Sequence, residues 1–259
     1  MARFKRIYNL SIIQKISLAG IFIVLIALFQ KIFAINYIPV LPFVRISFGG
    51  PALIIFSSIL LGPWFGLLVG AASDIVGFYI FDPKLFGTAP FFQITFIYAL
   101  LGFASYYIYK LFKVVKNEKL LLGIEIGTFS ILLIGLVLFV SLDYNINLST
   151  LYRILIPVIS FTLLVVTVLA QIFTSKSFKK KEIDIPVINI GFACFVIEMT
   201  IMVAFGVAMK TWAFSSSTFY VILISQIIVA FFNIPLNTFL VSYIMYLSNK
   251  LIKQRGVHA

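Results

Sequence analysis

Long apolar runs separated by short loops dominate this chain and restrict it to one class of fold. Hydrophobic residues make up 62% of its 259 residues, charged residues make up 11%, and the mean hydropathy is +1.14. A soluble domain of this size does not have such a composition. Backbone groups in lipid must be hydrogen-bonded within the protein, and the runs are continuous rather than alternating. The sequence therefore predicts an all-α polytopic membrane protein.

Eight apolar segments have lengths suited to helices that cross or enter a membrane. We expect them to form a single membrane domain over 1–259. The two segments that follow the first loop are short and are joined directly by Gly62 and Pro63, and Pro63 suits the first turn of a helix. The predicted helices are 12–33, 46–61, 64–81, 91–112, 120–142, 151–174, 187–209 and 219–247.

The basic residues are distributed unevenly between the loops. If the N-terminus is cytoplasmic, eight helices place fifteen of the 20 lysines and arginines on the cytoplasmic side, which is the positive-inside pattern. The sequence therefore predicts a multi-pass protein of the cell membrane with both termini in the cytoplasm. This distribution explains the net charge of +12 without nucleic acid, and the basic loops are expected to contact anionic lipid. The other side keeps Lys31, Arg45, Lys84, Arg153 and Lys210.

Several kinds of chemistry are disfavoured by the residues present. Cys194 is the single cysteine, so an intramolecular disulfide is excluded, and the single histidine is His258, next to the C-terminus. A histidine-based metal site and a Ser-His-Asp triad are therefore not expected. The chain has no Gly-rich phosphate loop of the Walker type, so ATP-driven activity would need a partner protein. We predict no cofactor and no metal.

A glycine-lined hairpin, 45–81, holds the strongest local pattern. Gly62, Gly66 and Gly70 are four residues apart, so they lie on one helix face and allow another helix backbone to approach closely. The same segment carries Asp74 among apolar residues, and a carboxylate in that position indicates a functional site. The alternative is a structural role, in which Asp74 pairs with Arg45 or caps a neighbouring backbone.

Further polar residues lie inside the last two apolar segments. Glu198 has the same standing as Asp74, since it lies midway along its segment. Asn233 and Asn237 are four residues apart on one helix face, and their amides could recognise donors and acceptors of a heterocycle. Pro235 would free a backbone carbonyl as a further acceptor. The alternative for the two asparagines is hydrogen bonding between helices.

The predicted outer loops and helix ends supply cations and aromatic rings. Arg45, Lys84 and Lys210 would form a cationic entrance for an anionic solute if these loops converge, and Arg45 could hold a carboxylate in bidentate geometry. Tyr37 and Trp212 could stack on a flat ring. The alternatives are ordinary solvation of the loops by charge and the aromatic belt of a membrane interface.

The segment Arg45–Tyr109 resembles the substrate-binding S component of energy-coupling factor (ECF) vitamin transporters, most closely the folate type. The resemblance is carried by R-I-x-F-G-x-P-A-L from Arg45 and by L-L-G-P-W-F-G-L-L-V-G-A-A-S-D-I-V-G-F from Leu60. A weaker match is I-P-L-N at Ile234–Asn237. The G-P-x-x-G-x-x-x-G-x-x-x-D-x-x-G pattern is fairly specific for this group but poorly specific for the vitamin.

This resemblance implies a subunit that captures a vitamin at the outer face, while a separate transmembrane coupling subunit and two ATPase subunits drive its release inside. It also implies that this chain has no enzymatic activity. It implies a core of six helices, so two of the eight would be an inserted pair at 118–175, between the first four helices (1–113) and the last two (186–250). Helix packing or partner docking is expected at Ala19, Ala27, Gly62, Gly66 and Gly70.

The function that follows is the capture of folate or a related anionic vitamin. Arg45 and Lys84 would hold carboxylates, and Trp212 or Tyr37 would stack on the ring. The full expected substrate-binding set is Tyr37, Arg45, Asp74, Lys84, Gln93, Trp212, Asn233 and Asn237, in which Asp74 and the two asparagines would hydrogen-bond the ring. Alternatives are an S component for pantothenate or riboflavin, a membrane-embedded lipid-modifying enzyme, and a scaffold without ligand.

Overall fold

The structure is a computed structural model that describes residues 10–32, 34–35, 46–47, 49–81, 92–141, 150–180, 185–214 and 219–255. Eight helices account for nearly all of these residues, which confirms the prediction of an all-α polytopic membrane protein. Seven of the helices in this part of the chain are long and apolar enough to cross a membrane. The eighth, Gly50–Leu61, is apolar but shorter.

The helices are numbered here in chain order. Helix α7 is continuous but changes form twice: it is α-helical over Val187–Ile197, π-helical over Glu198–Phe205 and α-helical again over Gly206–Phe214. The others are α1 (Ile12–Lys31), α2 (Gly50–Leu61), α3 (Pro63–Phe81), α4 (Phe92–Lys113), α5 (Glu118–Ser141), α6 (Thr150–Lys180) and α8 (Phe219–Arg255).

The start of α1 is fixed by a reciprocal pair of hydrogen bonds. The Ser11 hydroxyl accepts from the backbone N–H of Gln14 at 3.3 Å, and the Gln14 side chain accepts from the backbone N–H of Ser11 at 3.0 Å. Two of the N–H groups that a helix start leaves unpaired are thereby satisfied. The sequence-based start of this helix at Ile12 agrees with the structure.

The predicted start of the second helix, at Ile46, is wrong. Ile46–Ser47 is a short strand (β2) that pairs antiparallel with Ala34–Ile35 (β1). Gly49 then adopts a φ of +89°, a left-handed conformation that an α-helix cannot contain and that glycine adopts at little cost. Helix α2 therefore begins at Gly50 and has 12 residues, or ~18 Å, which is too short to span a bilayer alone.

Three helices are longer than their apolar segments, and two of them, α6 and α8, extend into basic sequence. The predicted ends at 174, 209 and 247 are therefore too early, because α6, α7 and α8 end at Lys180, Phe214 and Arg255. Lysine and arginine are good helix formers, and their long side chains can reach water from a helix end. Lys210 and Trp212 consequently lie on the last turns of α7 and not in a loop.

The glycines of α3 form its contact with α4. A Cβ atom at Gly66 would lie 2.5 Å from the carbonyl oxygen of Gly102, and one at Gly70 would meet the carbonyl oxygen of Tyr98. The two backbones therefore approach as closely as a small-xxx-small face allows. This contact fixes where Asp74, one turn beyond Gly70, lies relative to α4.

Helix α7 lies at the centre of the bundle. In its membrane-spanning window Val187–Trp212, 72% of the residues are buried, compared with 22% in the windows of α1 and α5. Through Ile190, Ala193 and Ile197 it joins a core with α1, α2, α3, α4 and α8. Through Phe192 and Phe195 it joins a second core with α5, α6 and α8. A polar side chain on α7 is therefore shielded from lipid on several sides.

Candidate functional site

Asp74 is joined to α4 by a short hydrogen bond. The Thr95 hydroxyl donates to Oδ2 of Asp74 at 2.7 Å, and Asp74 is half-buried. Thr95 lies in the first turns of α4, and Asp74 lies in the last two turns of α3. The carboxylate therefore lies toward the end of the bundle where α3 ends and α4 begins.

Aromatic residues bring the end of α7 to the same place. The rings of Phe92 and Trp212 meet edge to face, with centroids 5.3 Å apart and an interplanar angle of 84°. Trp212 is 65% exposed, so most of its ring surface is available. Gln93, the next residue on α4, is half-buried. We call this region, with Asp74, Phe92, Gln93, Thr95 and Trp212, the Trp212 end of the bundle.

Three of the expected binding residues, Tyr37, Arg45 and Lys84, lie outside the described residues. The proposed cationic entrance is therefore represented in the described part of the chain by Lys210 alone.

Asn233 and Asn237 share one partner, Glu198. The Nδ2 atom of Asn233 donates to Oε1 of Glu198 at 2.8 Å, and Nδ2 of Asn237 lies 3.5 Å from Oε2. All three side chains are almost completely buried, at 2%, 0% and 1% exposed respectively. The expectation that the two amides share one helix face agrees with this geometry, and their common neighbour is a carboxylate. We call these three residues the acceptor cluster.

The acceptor cluster leaves two carbonyl oxygens without a hydrogen bond. Oδ1 of Asn233 and Oδ1 of Asn237 are both buried, and neither has a partner among the described residues. A carboxylate can only accept hydrogen bonds, so each amide must present its Nδ2 to Glu198 and turn its oxygen elsewhere. The cluster can therefore accept hydrogen bonds from a further group carrying N–H or O–H donors.

The backbone of α7 changes form at this cluster. The π-helical segment Glu198–Phe205 begins at the carboxylate and runs toward the Trp212 end. The N–H of Gly206 donates back to the carbonyl of Ile201, five residues earlier. Segments of this kind are rare and occur frequently at functional sites.

A second polar contact between α7 and α8 lies nearer the Trp212 end. Nζ of Lys210 donates to Oε1 of Gln226 at 2.8 Å, and Gln226 is buried. Gln226 precedes Asn233 by seven residues, so the two occupy the same face of α8 about two turns, or ~10 Å, apart. Lys210 and Gln226, together with the acceptor cluster about two turns further along α8, make up two polar contacts between α7 and α8, here called the α7–α8 seam.

The residues expected to pack helices or dock a partner differ in their surroundings. Ala19 and Ala27 are buried against the chain's own core, at 8% and 1% exposed. Gly66 and Gly70 contact α4, as described above. Gly62 has a φ of +99° and open space where a Cβ would lie. Its conformation ends α2 and permits the immediate turn into α3.

Three functional candidates were missed or undervalued from the sequence. Thr95 and Gln226 were not considered, and Glu198 was noted as an embedded acid but not included in the binding set. Gln226 could have been found from its spacing, because it lies seven residues before Asn233 on the same helix face. The partnership of Thr95 with Asp74 had no such signal. Among the described residues, no group of three His, Cys, Asp or Glu side chains could hold a metal ion.

Comparison with known proteins identifies the family. No curated protein and no solved structure matches the chain at a significant level. The family model described as "ECF transporter, substrate-specific component" matches residues 14–150, slightly more than half of the chain, from the first turn of α1 to the first residue of α6. The chain belongs to the substrate-specific components of ECF transporters, the subunits that bind the transported substrate.

Proposed function

We propose that this chain captures folate, or a related anionic vitamin, at the outer face of the cell membrane for an ATP-driven importer. Membership of the family gives the general role: the protein is a transporter subunit and not an enzyme, and it works with the other components of an ECF transporter. The choice of an anionic, ring-containing vitamin goes beyond the family and rests on the residues of the site.

The observation that carries the proposal is the α7–α8 seam, in which a lysine and a set of buried acceptors follow one another. Lys210 would attract the carboxylates of the vitamin, and the acceptor cluster would bind N–H groups of its ring. Arg45 and Lys84 would hold carboxylates from the neighbouring loops. Trp212, whose ring is largely exposed, would stack on the vitamin, with Tyr37 as the alternative.

The Trp212 end would then be the outer end of the bundle. The positive-inside distribution supports this orientation, since it places both termini in the cytoplasm. Asp74 and Gln93 lie at the same end and would contact the vitamin from α3 and α4. The partners would be a transmembrane coupling subunit and two ATPase subunits, and no nucleic acid is involved.

Helices α5 and α6 would be an inserted pair on a core of six helices. A buried hydrogen bond of 2.8 Å from Gln171 on α6 to Glu125 on α5 joins the two helices. Gln171 also packs against Gly191, where a Cβ would lie 2.8 Å from its amide group. These contacts support a pair that acts as one unit and covers one side of α7. Docking of the coupling subunit would use the face near Gly62, because Ala19 and Ala27 are buried within the chain itself.

Folate retention by the isolated chain tests the proposal. Membrane vesicles containing the chain alone are incubated with radiolabelled folate and washed, and vesicles without the chain serve as background. Retention above background is expected, and Arg45→Ala should reduce it. Lys31→Ala is the matched control, because Lys31 is a cation expected on the same side without a role in binding.

Competition by unlabelled vitamins identifies the substrate. Excess folate should displace the label, whereas excess pantothenate or riboflavin should not. Retention at background level would refute folate as the substrate, and equal retention by Arg45→Ala would remove Arg45 from the site.

A further inference from the structure

We propose that the α7–α8 seam binds its ligand in one orientation, with the N–H-bearing head at Glu198, Asn233 and Asn237 and an anionic group at Lys210. This inference rests on the proposed function for the presence of a small-molecule ligand, and it adds which end of the ligand lies where. It makes Glu198 the residue that recognises the head of the ligand.

The acceptor cluster has more hydrogen-bond acceptors than donors. Glu198 receives the two amide N–H groups, and the cluster atoms that remain unpaired in the described part of the chain are Oδ1 of Asn233 and Oδ1 of Asn237. The cluster thus has a carboxyl group and two spare acceptors at 2% exposure or less. Buried acceptors without donors are unfavourable, so a group with several N–H donors is the complementary ligand.

Glu198 differs in its surroundings from Glu125, the other buried acid among the described residues. Glu125 pairs with the Gln171 amide between α5 and α6 and lies outside the seam. Glu198 lies on the central helix, at the start of the π-helical segment, and faces the same side of α8 as Gln226. Among the described residues, only Glu198 therefore combines a buried carboxyl group with a place on the helix pair that also carries Lys210 and Gln226.

The two polar contacts of the α7–α8 seam are separated along α8 by about two turns. Gln226, which holds Nζ of Lys210 at 2.8 Å, is ~10 Å along α8 from Asn233. In a ligand whose N–H-bearing ring and carboxylate are separated by about that distance, the carboxylate would pair with Lys210. The ring N–H groups would then donate to the acceptor cluster. The reverse orientation would place a carboxylate against Glu198, which is repulsive.

The test is equilibrium binding by the purified full chain in detergent. Wild type, Glu198→Gln, Lys210→Met and Glu125→Gln are titrated with folate, pteroate, riboflavin, pantothenate and thiamine. We expect Glu198→Gln to weaken folate and pteroate equally, by at least about tenfold, since charge-assisted bonds to the head are lost. Lys210→Met should weaken folate more than pteroate, which lacks the glutamate carboxylates. Glu125→Gln is the matched buried acid and should bind as wild type does.

A second measurement removes the dependence on how well Glu198→Gln folds. A hydrophobic carbodiimide is added to the unsubstituted chain with and without folate, and labelled carboxyl groups are quantified by mass spectrometry. Ligand should protect Glu198 and leave Glu125 labelled to the same extent as before. Unchanged labelling of Glu198 at saturating ligand overturns the inference and indicates that ordered water satisfies the cluster.

The outcomes separate this inference from the proposed function. If wild type binds folate and Glu198→Gln binds it equally well, the inference fails and folate capture stands. If wild type binds pteroate or pantothenate but not folate, and Glu198→Gln and Lys210→Met both weaken that binding, the inference stands and folate fails. If it binds only riboflavin or thiamine, which carry no anionic group, both fail. Binding of none of the five overturns both.

Discussion

Nδ2 of Asn233 on α8 lies 2.8 Å from Oε1 of Glu198 on α7 and links the two helices at a buried carboxylate. Asn237, one turn further along α8, reaches the other oxygen of the same carboxylate at 3.5 Å, the outer limit for such a bond. The two amides are therefore chemically identical but geometrically unequal. This difference makes them a natural pair for measuring what the carboxylate contributes to the fold.

Asn233→Leu should destabilise the chain more than Asn237→Leu. Loss of the shorter bond leaves a buried carboxylate without its principal donor, and we expect the free energy of unfolding to fall by about 2–3 kcal/mol. Loss of the longer bond in Asn237→Leu should lower the free energy of unfolding by less than about 1 kcal/mol, because a hydrogen bond at this distance is weak. Denaturation of both variants in the same detergent gives the two values. Equal losses would contradict the unequal geometry.

Gly66→Ala should destabilise the contact between α3 and α4. The new methyl group would lie 2.5 Å from the Gly102 carbonyl oxygen and 2.7 Å from Cβ of Ser58, so the helices must separate. Overpacking of this kind costs about 1–3 kcal/mol, measured as a lower melting temperature. Gly123→Ala on α5 is the control, since nothing lies within 4 Å of its Cβ position. That variant should melt at the same temperature or slightly higher, because alanine favours the helix.

Ligand binding should change the fluorescence of Trp212 and not that of Trp64. The chain has 2 tryptophans. In a Trp64→Phe background, saturating folate should quench the remaining emission, because the ring of Trp212 would stack on the ligand. In a Trp212→Phe background, the emission of Trp64 should stay unchanged. The opposite pattern would place the ligand away from the Trp212 end.

Trp212→Ala should also weaken folate binding by about three- to tenfold, which corresponds to the contribution of one aromatic contact. The edge-to-face contact with Phe92 at 5.3 Å holds the Trp212 ring in place, so Phe92→Ala should have a smaller effect in the same direction. Direct titration of the purified variants measures both. An unchanged affinity for Trp212→Ala would exclude stacking on this residue.

Glu125 and Gln171 should behave as a coupled pair. Glu125→Leu removes the acceptor of a buried 2.8 Å hydrogen bond and leaves the Gln171 amide unpaired, at a cost of about 1–3 kcal/mol. The double variant with Gln171→Leu removes both polar groups and should be less destabilised than the two single losses added together. Unfolding of the four proteins gives the interaction energy. Additive losses would contradict a direct contribution of this bond.

Much of the fold could be predicted because hydrophobicity and glycine spacing act locally. The apolar runs locate the helices, and the interval between Gly62, Gly66 and Gly70 correctly indicates a face for close helix contact. The predicted second helix starts too early, because an apolar residue such as Ile46 and a small one such as Ser47 also occur in membrane helices. The strand pairing that occupies them depends on Ala34 and Ile35.

The site was harder to predict, because its contacts join distant parts of the chain. The distribution of basic residues along the sequence predicts that Lys210 lies in a loop, whereas the structure places it on α7, facing Gln226. Likewise, Asn233 and Asn237 were recognised as one face of a helix, but sequence spacing could not identify Glu198, 35 residues before Asn233, as the group they share. The identity of a partner helix is set by tertiary packing and not by periodicity.

The π-helical segment of α7 determines in which direction the residues that follow it face around the helix axis. Each residue of an α-helix turns the chain by ~100°, whereas wider turns advance the angle less per residue. The eight residues Glu198–Phe205 therefore set the angle about the helix axis between the side chains of Glu198 and Lys210. With the present angle, both side chains contact α8. A return of these eight residues to regular α-helix, with none removed, would add rotation and swing Lys210 away from Gln226 while Glu198 stayed in place.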